Sequence, residues 1–278
     1  MSHCPFKLSL NASTLFPYKL GIEEQIRIAA EAGYEGIEIW VRDLEAYLEE
    51  GHSLSKLQRY VSDTGITIAN AIAFFKWADE DHDIRAQGHQ QAVNEMAMLA
   101  EIGCKAVAAP PFGNVERVSL TDMAAEYAKL VHAGRQLGIE PYLEFWGRAK
   151  KLSTLSEAVT VAMESGVPDA KLLLDPFHMY TGGTACEAIG YLNGSRIGIV
   201  HVNDYPASPE RTVITDQQRV FPGDGIAPSA LFAQLLQESG YKGFLSLELF
   251  IPDYGQATAL ETAKRGLRAA EAAYAIRS

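Results

Sequence analysis

The chain has 278 residues, a formal net charge of −11, 47% hydrophobic residues and 21% charged residues. That length suits a single α/β barrel, which typically takes about 250 residues. The acidity leaves no electrostatic footprint for nucleic acid or an anionic membrane, and no Lys/Arg cluster offers a local one. Cys4, Cys104 and Cys186 are far apart and form no CxxC pair, so neither a disulfide framework nor a thiolate zinc site is suggested. Cys104 reads as a small buried apolar residue. The run from Met1 to Lys7 lacks the apolar core of a signal peptide, and no segment approaches the ~18 apolar residues of a membrane span. The expectation is a cytoplasmic protein.

Strand-like and helix-like segments alternate through the whole length, 1–278, without a linker. Phe6 to Asn11 is the first strand, and Ile22 to Ala32 is helical, stopped by Gly33. Gly36 to Trp40 is the second strand. Leu54 to Thr64 is the next helix, with Ser53 as N-cap. Ile66 to Ala71 is the third strand, and Ile84 to Ile102 a long helix. Lys105 to Ala109 is the fourth strand, stopped by Pro110-Pro111. Thr121 caps a helix to Leu137, and strand five ends at Glu144. Ser153 caps a helix to Ser165, and strand six ends at Asp175. A short helix covers Ala185 to Leu192, and strand seven ends near His201. Pro228 opens a helix to Ser239, strand eight ends at Glu248, and Ala257 to Ile276 is the last helix. Eight such units predict a closed (β/α)8 barrel in one domain. No dinucleotide or P-loop fingerprint points to an open sheet. The segment from Asn203 to Ala227 is longer than a connector requires and is expected on the catalytic face.

Four polar residues, Glu144, Asp175, His201 and Glu248, each close a short apolar run that reads as a buried parallel strand. A lone carboxylate in such a place can simply hydrogen-bond a loop. Three carboxylates and an imidazole at the carboxyl ends of four successive strands describe a metal site in the barrel mouth. Oxygen and imidazole donors without thiolate suit one divalent ion: Mn, Co, Zn or Mg. Such an ion can polarise a carbonyl that has a neighbouring hydroxyl, and a loosely bound carboxylate can take the α-proton.

Other candidates flank this set. His178, three residues after Asp175, either contacts a substrate oxygen or is an ordinary loop histidine. Glu38 on strand two either supports another site residue or pairs with a base inside the barrel. It is counted with His178, Arg219 and Trp146 among the candidate substrate contacts. Arg211 and Arg219 lie in the long loop, where solvated arginines are common. Trp40, Phe74, Phe75, Trp77 and Trp146 fall at or after strand ends and either wall a sugar-sized pocket or pack the core. His52, His82, His89 and His132 are expected at the surface.

Along nearly its full length the chain resembles the sugar isomerase/epimerase superfamily that shares the xylose isomerase-like TIM barrel. The motifs are Gly36-Ile37-Glu38-Ile39, Leu143-Glu144-Phe145, Leu174-Asp175-Pro176-Phe177-His178, Val200-His201-Val202-Asn203-Asp204 and Ser246-Leu247-Glu248-Leu249-Phe250. Within it, the chain most resembles the inosose isomerases of inositol catabolism. Ala73-Phe74-Phe75, Asp216 with Arg219-Val220-Phe221-Pro222-Gly223, and Glu248-Leu249-Phe250 with Pro252 and Tyr254 carry that resemblance. It implies that Glu144, Asp175, His201 and Glu248 bind the metal. It also implies that Glu144 and Glu248 are the acid/base pair and that His178 and Arg219 contact substrate. One departure is Asn203-Asp204, where inosose isomerases tend to carry two aspartates, so reaction type carries over further than substrate.

The implied activity is isomerisation or epimerisation of a keto-sugar or inosose through an enediolate. Related barrels dehydrate cyclic keto acids or act on keto-glycosides. Apurinic endonucleases share the fold but add histidines for further metals; this chain has Asn70, Pro110-Pro111, Gln218 and Arg219 instead, and is acidic. A barrel that binds a sugar without catalysis is the remaining reading. Metal identity, stereochemistry and assembly as a homo-oligomer are not legible in the sequence.

Overall fold

In the computed structural model, which describes residues 3–276, eight parallel strands form a nearly closed barrel. The outermost residues of the 1–278 unit, including Met1 and Ser2 of the N-terminal run, lie outside the described residues. The strands are β1 (Lys7–Asn11), β2 (Gly36–Trp40), β3 (Thr67–Ile72), β4 (Ala106–Ala109), β5 (Glu140–Glu144), β6 (Lys171–Leu174), β7 (Ile197–Val202) and β8 (Phe244–Leu247). Their hydrogen-bonded order is β3-β2-β1-β8-β7-β6-β5-β4, and the two end strands, β3 and β4, face each other to complete the ring.

Each strand is buried on both faces, and each face meets a different core. Inside the barrel, Ala12, Trp40, Ile72, Ala108, Leu173 and Ile199 pack together, with Tyr142 and Phe244 against them. On the outside, Leu10, Ile37, Val107, Leu143, Val200 and Leu245 meet apolar helix residues such as Ile26, Leu57, Met96, Leu130 and Phe232. Burial on both faces is why the strands read as continuous apolar runs rather than alternating ones. The exceptions define the site. Asn11, Glu38 and Asn70 are register partners across β1, β2 and β3, so their side chains leave the sheet side by side. His201 is likewise paired with Ser246. All five are fully buried.

The helices are α1 (Ile22–Ala32), α2 (Val41–Glu49), α3 (Leu54–Thr64), α4 (His82–Glu101), α5 (Leu120–Gln136), α6 (Leu155–Glu164), α7 (Pro176–Gly182), α8 (Ser229–Glu238) and α9 (Ala259–Ala273). Several differ from the sequence expectation. The first, α2, follows β2 without a break and buries Val41, Leu44 and Tyr47 at three-residue spacing. Ser119, not Thr121, caps α5, and Thr154, not Ser153, caps α6. The Ala185–Leu192 segment is a 3-10 turn, Cys186–Tyr191, and the helix of that region is α7. The last helix is shorter than expected and opens on a Thr258/Glu261 capping box. His52, His82 and His132 are exposed, but His89 is half-buried with Nε2 2.9 Å from Glu126 Oε2. Cys104 is fully buried. No described helix is long and apolar enough to cross a membrane.

Candidate metal centre

The four strand-end residues lie at one rim of the barrel. Glu144 is the last residue of β5, His201 the penultimate residue of β7, and Asp175 and Glu248 directly follow β6 and β8. Asp175 is placed by its own local structure. It is the N-cap of α7, its Oδ1 accepting from Phe177 N at 2.7 Å, with Pro176 opening the helix. Asn203 Nδ2 donates to the same oxygen at 3.1 Å. The other oxygen, Oδ2, faces His201 and Arg219.

Asp175, His201 and Glu248 each offer a ligand atom within 4.8 Å of the others, and all three are buried. Their geometry turns on the imidazole. His201 Nε2 lies 3.1 Å from Glu38 Oε2 and 3.3 Å from Glu38 Oε1. Its Nδ1 faces Glu248 Oε2 at 3.1 Å and Asp175 Oδ2 at 3.6 Å, yet makes no hydrogen bond. A carboxylate that accepts the N–H of one ring nitrogen turns the other toward a metal, the usual arrangement for a metal-ligating histidine. Burial lowers the His201 imidazole, but Glu248, Glu38 and Asp175 override it and hold it well above its usual range; a divalent cation between these carboxylates would take the place of the Nδ1 proton. The donor set, oxygen and imidazole without sulfur, fits the same group of ions.

Glu144 stands beside this trio rather than in it. Its Oε1 is 3.9 Å from His178 Nε2. Burial, reinforced by Glu248 and Asp175 and opposed by His201, pushes the Glu144 carboxyl up to about 8. A cation among these carboxylates would draw it down again. Burial also raises Asp175, but Arg219, His178 and His201 override it and hold that carboxyl well below its usual range. His178 is lowered, chiefly by burial.

Positive charge now comes from Arg219. Its Nη1 donates to Asp175 Oδ2 and Glu248 Oε2 at 2.8 Å each, and its Nε and Nη2 donate to Asp216 Oδ1 at 3.0 and 2.5 Å. The long loop delivers it. Asp204 accepts backbone N–H bonds from Tyr205, Gly223, Gly225 and Ala227, folding the loop onto itself. Gly225 is required there, since a Cβ would meet Tyr205 O at 2.3 Å. Arg211, from the same loop, is exposed and reaches Thr181 O instead.

Glu38, Phe75 and Trp77 do not line the cavity. Glu38, counted among the substrate contacts, lies behind His201 at 0% exposure and accepts from Asn11 and Asn70 as well. Phe75 and Trp77 are fully buried in the outer core, Trp77 Nε1 donating to Pro110 O. Trp40, Phe74 and Trp146 do line the cavity, with Phe16, Phe112 and Phe250. Trp146 sits 6.4 Å from the His178 ring, and Phe74 links Trp40 to Phe112 at 5.3 and 5.4 Å. The cavity is about 1620 Å³, and Glu144, His178, Arg219 and Glu248 open into it.

Asn11 carried no sequence signal, because its partners Glu38 and Glu248 lie far along the chain. His178 was placed on a loop, but it is the third residue of α7.

A family model described as the xylose isomerase-like TIM barrel matches residues 26–273. The chain belongs to that family. Among curated members, an inosose isomerase of Bacillus velezensis is 28% identical over 96% of both chains. A 3-dehydroshikimate dehydratase of Pseudomonas putida is 26% identical over 89% of this chain but only 39% of its own length. Among solved structures, the IOLI protein with a bound zinc atom superposes with a TM-score of 0.87 at 24% identity, covering 95% of this chain and 96% of that one. This last likeness concerns the fold.

Proposed function

We propose that the chain is a divalent-metal-dependent isomerase or epimerase of a polyhydroxylated ketone, a keto-sugar or keto-inositol such as an inosose. The observation that carries the reading is the convergence of Asp175, His201 and Glu248 around the unpartnered His201 Nδ1 at the barrel mouth. The full-length likeness to an inosose isomerase supports the substrate class, and with it a place in inositol catabolism.

Asp175, His201, Glu248 and Glu144 would hold one ion: Mn, Zn, Co or Mg. When bound, such an ion supplies Lewis acidity that polarises the ketone and acidifies the adjacent C–H. The proton is carried by the protein. One of Glu144 and Glu248 removes the α-proton to give an enediolate. Its return at the neighbouring carbon moves the carbonyl, and return at the same carbon from the opposite face inverts the centre. Arg219, anchored by Asp216, donates to substrate oxygens from beside Glu248. His178, facing Glu144, hydrogen-bonds a substrate hydroxyl. Trp146 and the neighbouring aromatic rings cover the C–H faces of the substrate.

The test is proton NMR in D₂O, with Mn- or Zn-loaded protein and a panel of inososes and ketohexoses. Deuterium entering an α-position, with a new product, supports the reading. No exchange with any of them, despite confirmed metal binding, overturns it.

A second reading rests on the cavity. At about 1620 Å³ it exceeds the roughly 300–1,000 Å³ typical of small-molecule sites. That favours a keto-glycoside, with lyase chemistry on the same site. The dehydratase relative supports an elimination outcome. Release of an aglycone, or of water, from a suitable ketone identifies this case.

A further inference from the structure

Beneath the centre lie two residues that the proposed chemistry does not use: Asn11, the last residue of β1, and Thr14, in the 3-10 turn that follows it (Ala12–Tyr18). Both are fully buried. The Asn11 side chain has both its N–H groups and its oxygen engaged. Nδ2 donates to Glu38 Oε2 and to Glu248 Oε1, each at 3.1 Å. Oδ1 accepts from Trp40 Nε1 at 2.9 Å and from Ser13 N at 3.0 Å. Only one orientation of the amide satisfies this surrounding. Turned over, its oxygen would face two carboxylates and its N–H groups two donors.

Thr14 acts on the same ligand from the main chain. Its Oγ1 donates to Leu247 O at 3.0 Å and accepts from Leu249 N at 3.1 Å. These are the residues on either side of Glu248. Glu248 N, in turn, donates to Val202 O. The carboxylate is therefore gripped at one oxygen by Asn11, and its backbone is clamped by Thr14. That leaves Oε2 to face His201 Nδ1 and Arg219 Nη1. The same Asn11 amide reaches Glu38, which holds the far nitrogen of His201. One side chain thus ties together the supports of two candidate ligands.

We propose that Asn11 and Thr14 are positioning residues that set the direction of Glu248, and through Glu38 that of His201, for binding a divalent cation. The proposal rests on the reading of Glu248 and His201 as ligands. Removing groups that orient metal ligands typically weakens binding by about 10–100-fold. A purely structural role would lower the melting temperature and leave the affinity of the folded protein unchanged.

The test uses the full chain stripped of metal and titrated with Mn²⁺, followed by electron paramagnetic resonance well below each variant's melting temperature. Asn11→Ala and Thr14→Val are each expected to weaken Mn²⁺ binding by about 10–100-fold. Thr14→Ser keeps the hydroxyl and should bind like the wild type. Folded Asn11→Ala and Thr14→Val proteins that bind Mn²⁺ as tightly as the wild type overturn the proposal. So does a Thr14→Ser variant as weak as Thr14→Val. If Asn11→Ala does not fold, the near-isosteric Thr14 pair decides. A wild type that binds no Mn²⁺ overturns the metal reading itself, and this proposal with it.

Discussion

Replacing Arg219 with methionine keeps an apolar stem but removes the guanidinium that bridges Asp175 Oδ2 and Glu248 Oε2. Those two carboxylates are 1% and 5% exposed, so they cannot turn to water for compensation. Asp216, the third partner, is half-exposed and adds little. Breaking a buried ion pair by removing one partner costs about 3–5 kcal/mol. For a chain of this size each kcal/mol moves the melting temperature by roughly 2–4 °C. Metal-stripped Arg219→Met should therefore melt about 6–20 °C below stripped wild type. A divalent ion held by Asp175, His201 and Glu248 supplies the missing positive charge. Saturating zinc should close much of the gap, so the variant gains more from metal than the wild type does. Scanning calorimetry of both proteins, in chelator and in excess zinc, reads the difference directly. An equal gap under both conditions would show that guanidinium and cation do not share these carboxylates.

Three further outcomes follow from the same geometry. Glu38→Gln removes the charge that holds His201 Nε2, and metal affinity should fall about 10–100-fold, or about 1.4–2.7 kcal/mol; a calorimetric titration giving the wild-type Kd contradicts the role assigned to Glu38. In stripped protein the Glu144 carboxyl is raised from 4.5 to about 8, so the native state binds that proton more tightly than the unfolded chain. Its contribution to stability is then greatest at acid pH and falls as pH rises from about 4.5 through about 8. Urea melts should show Glu144→Gln flattening that fall, and an unchanged pH slope would rule it out. Finally, a Cβ on Gly147 would meet Thr181 Oγ1 at 2.2 Å and His178 O at 2.4 Å. Gly147→Ala should force the Trp146 loop off α7 at a cost of about 1–3 kcal/mol, and a melting curve superimposable on the wild type's would refute that close packing.

What the sequence disclosed and what it hid divide along a physical line. The strand ends were legible because an apolar run broken by Glu144, Asp175, His201 or Glu248 is a local pattern. The barrel followed from repetition of that pattern. Helix α7 was hidden although its signal was present: Asp175-Pro176 reads equally as a strand end or as an N-cap followed by proline at the first helical position. Helix α2 lacked even that, since Trp40 precedes it and makes no side-chain cap. Asn11 and Thr14 were invisible for a different reason. Asn11 reaches Glu248 across 237 positions and Thr14 reaches Leu247 across 233. No local periodicity records such pairings. Glu38 was noticed but left between readings, because a strand alone does not say whether its acid faces the cavity or the back of a histidine.

The most direct test of the centre is anomalous X-ray diffraction from crystals of the zinc-reconstituted protein, measured across the zinc edge. One peak within bonding distance of His201 Nδ1, shared with Asp175 and Glu248, is the expected result. A peak bonded elsewhere, or none from protein shown to be folded and zinc-saturated in buffer, would contradict the site.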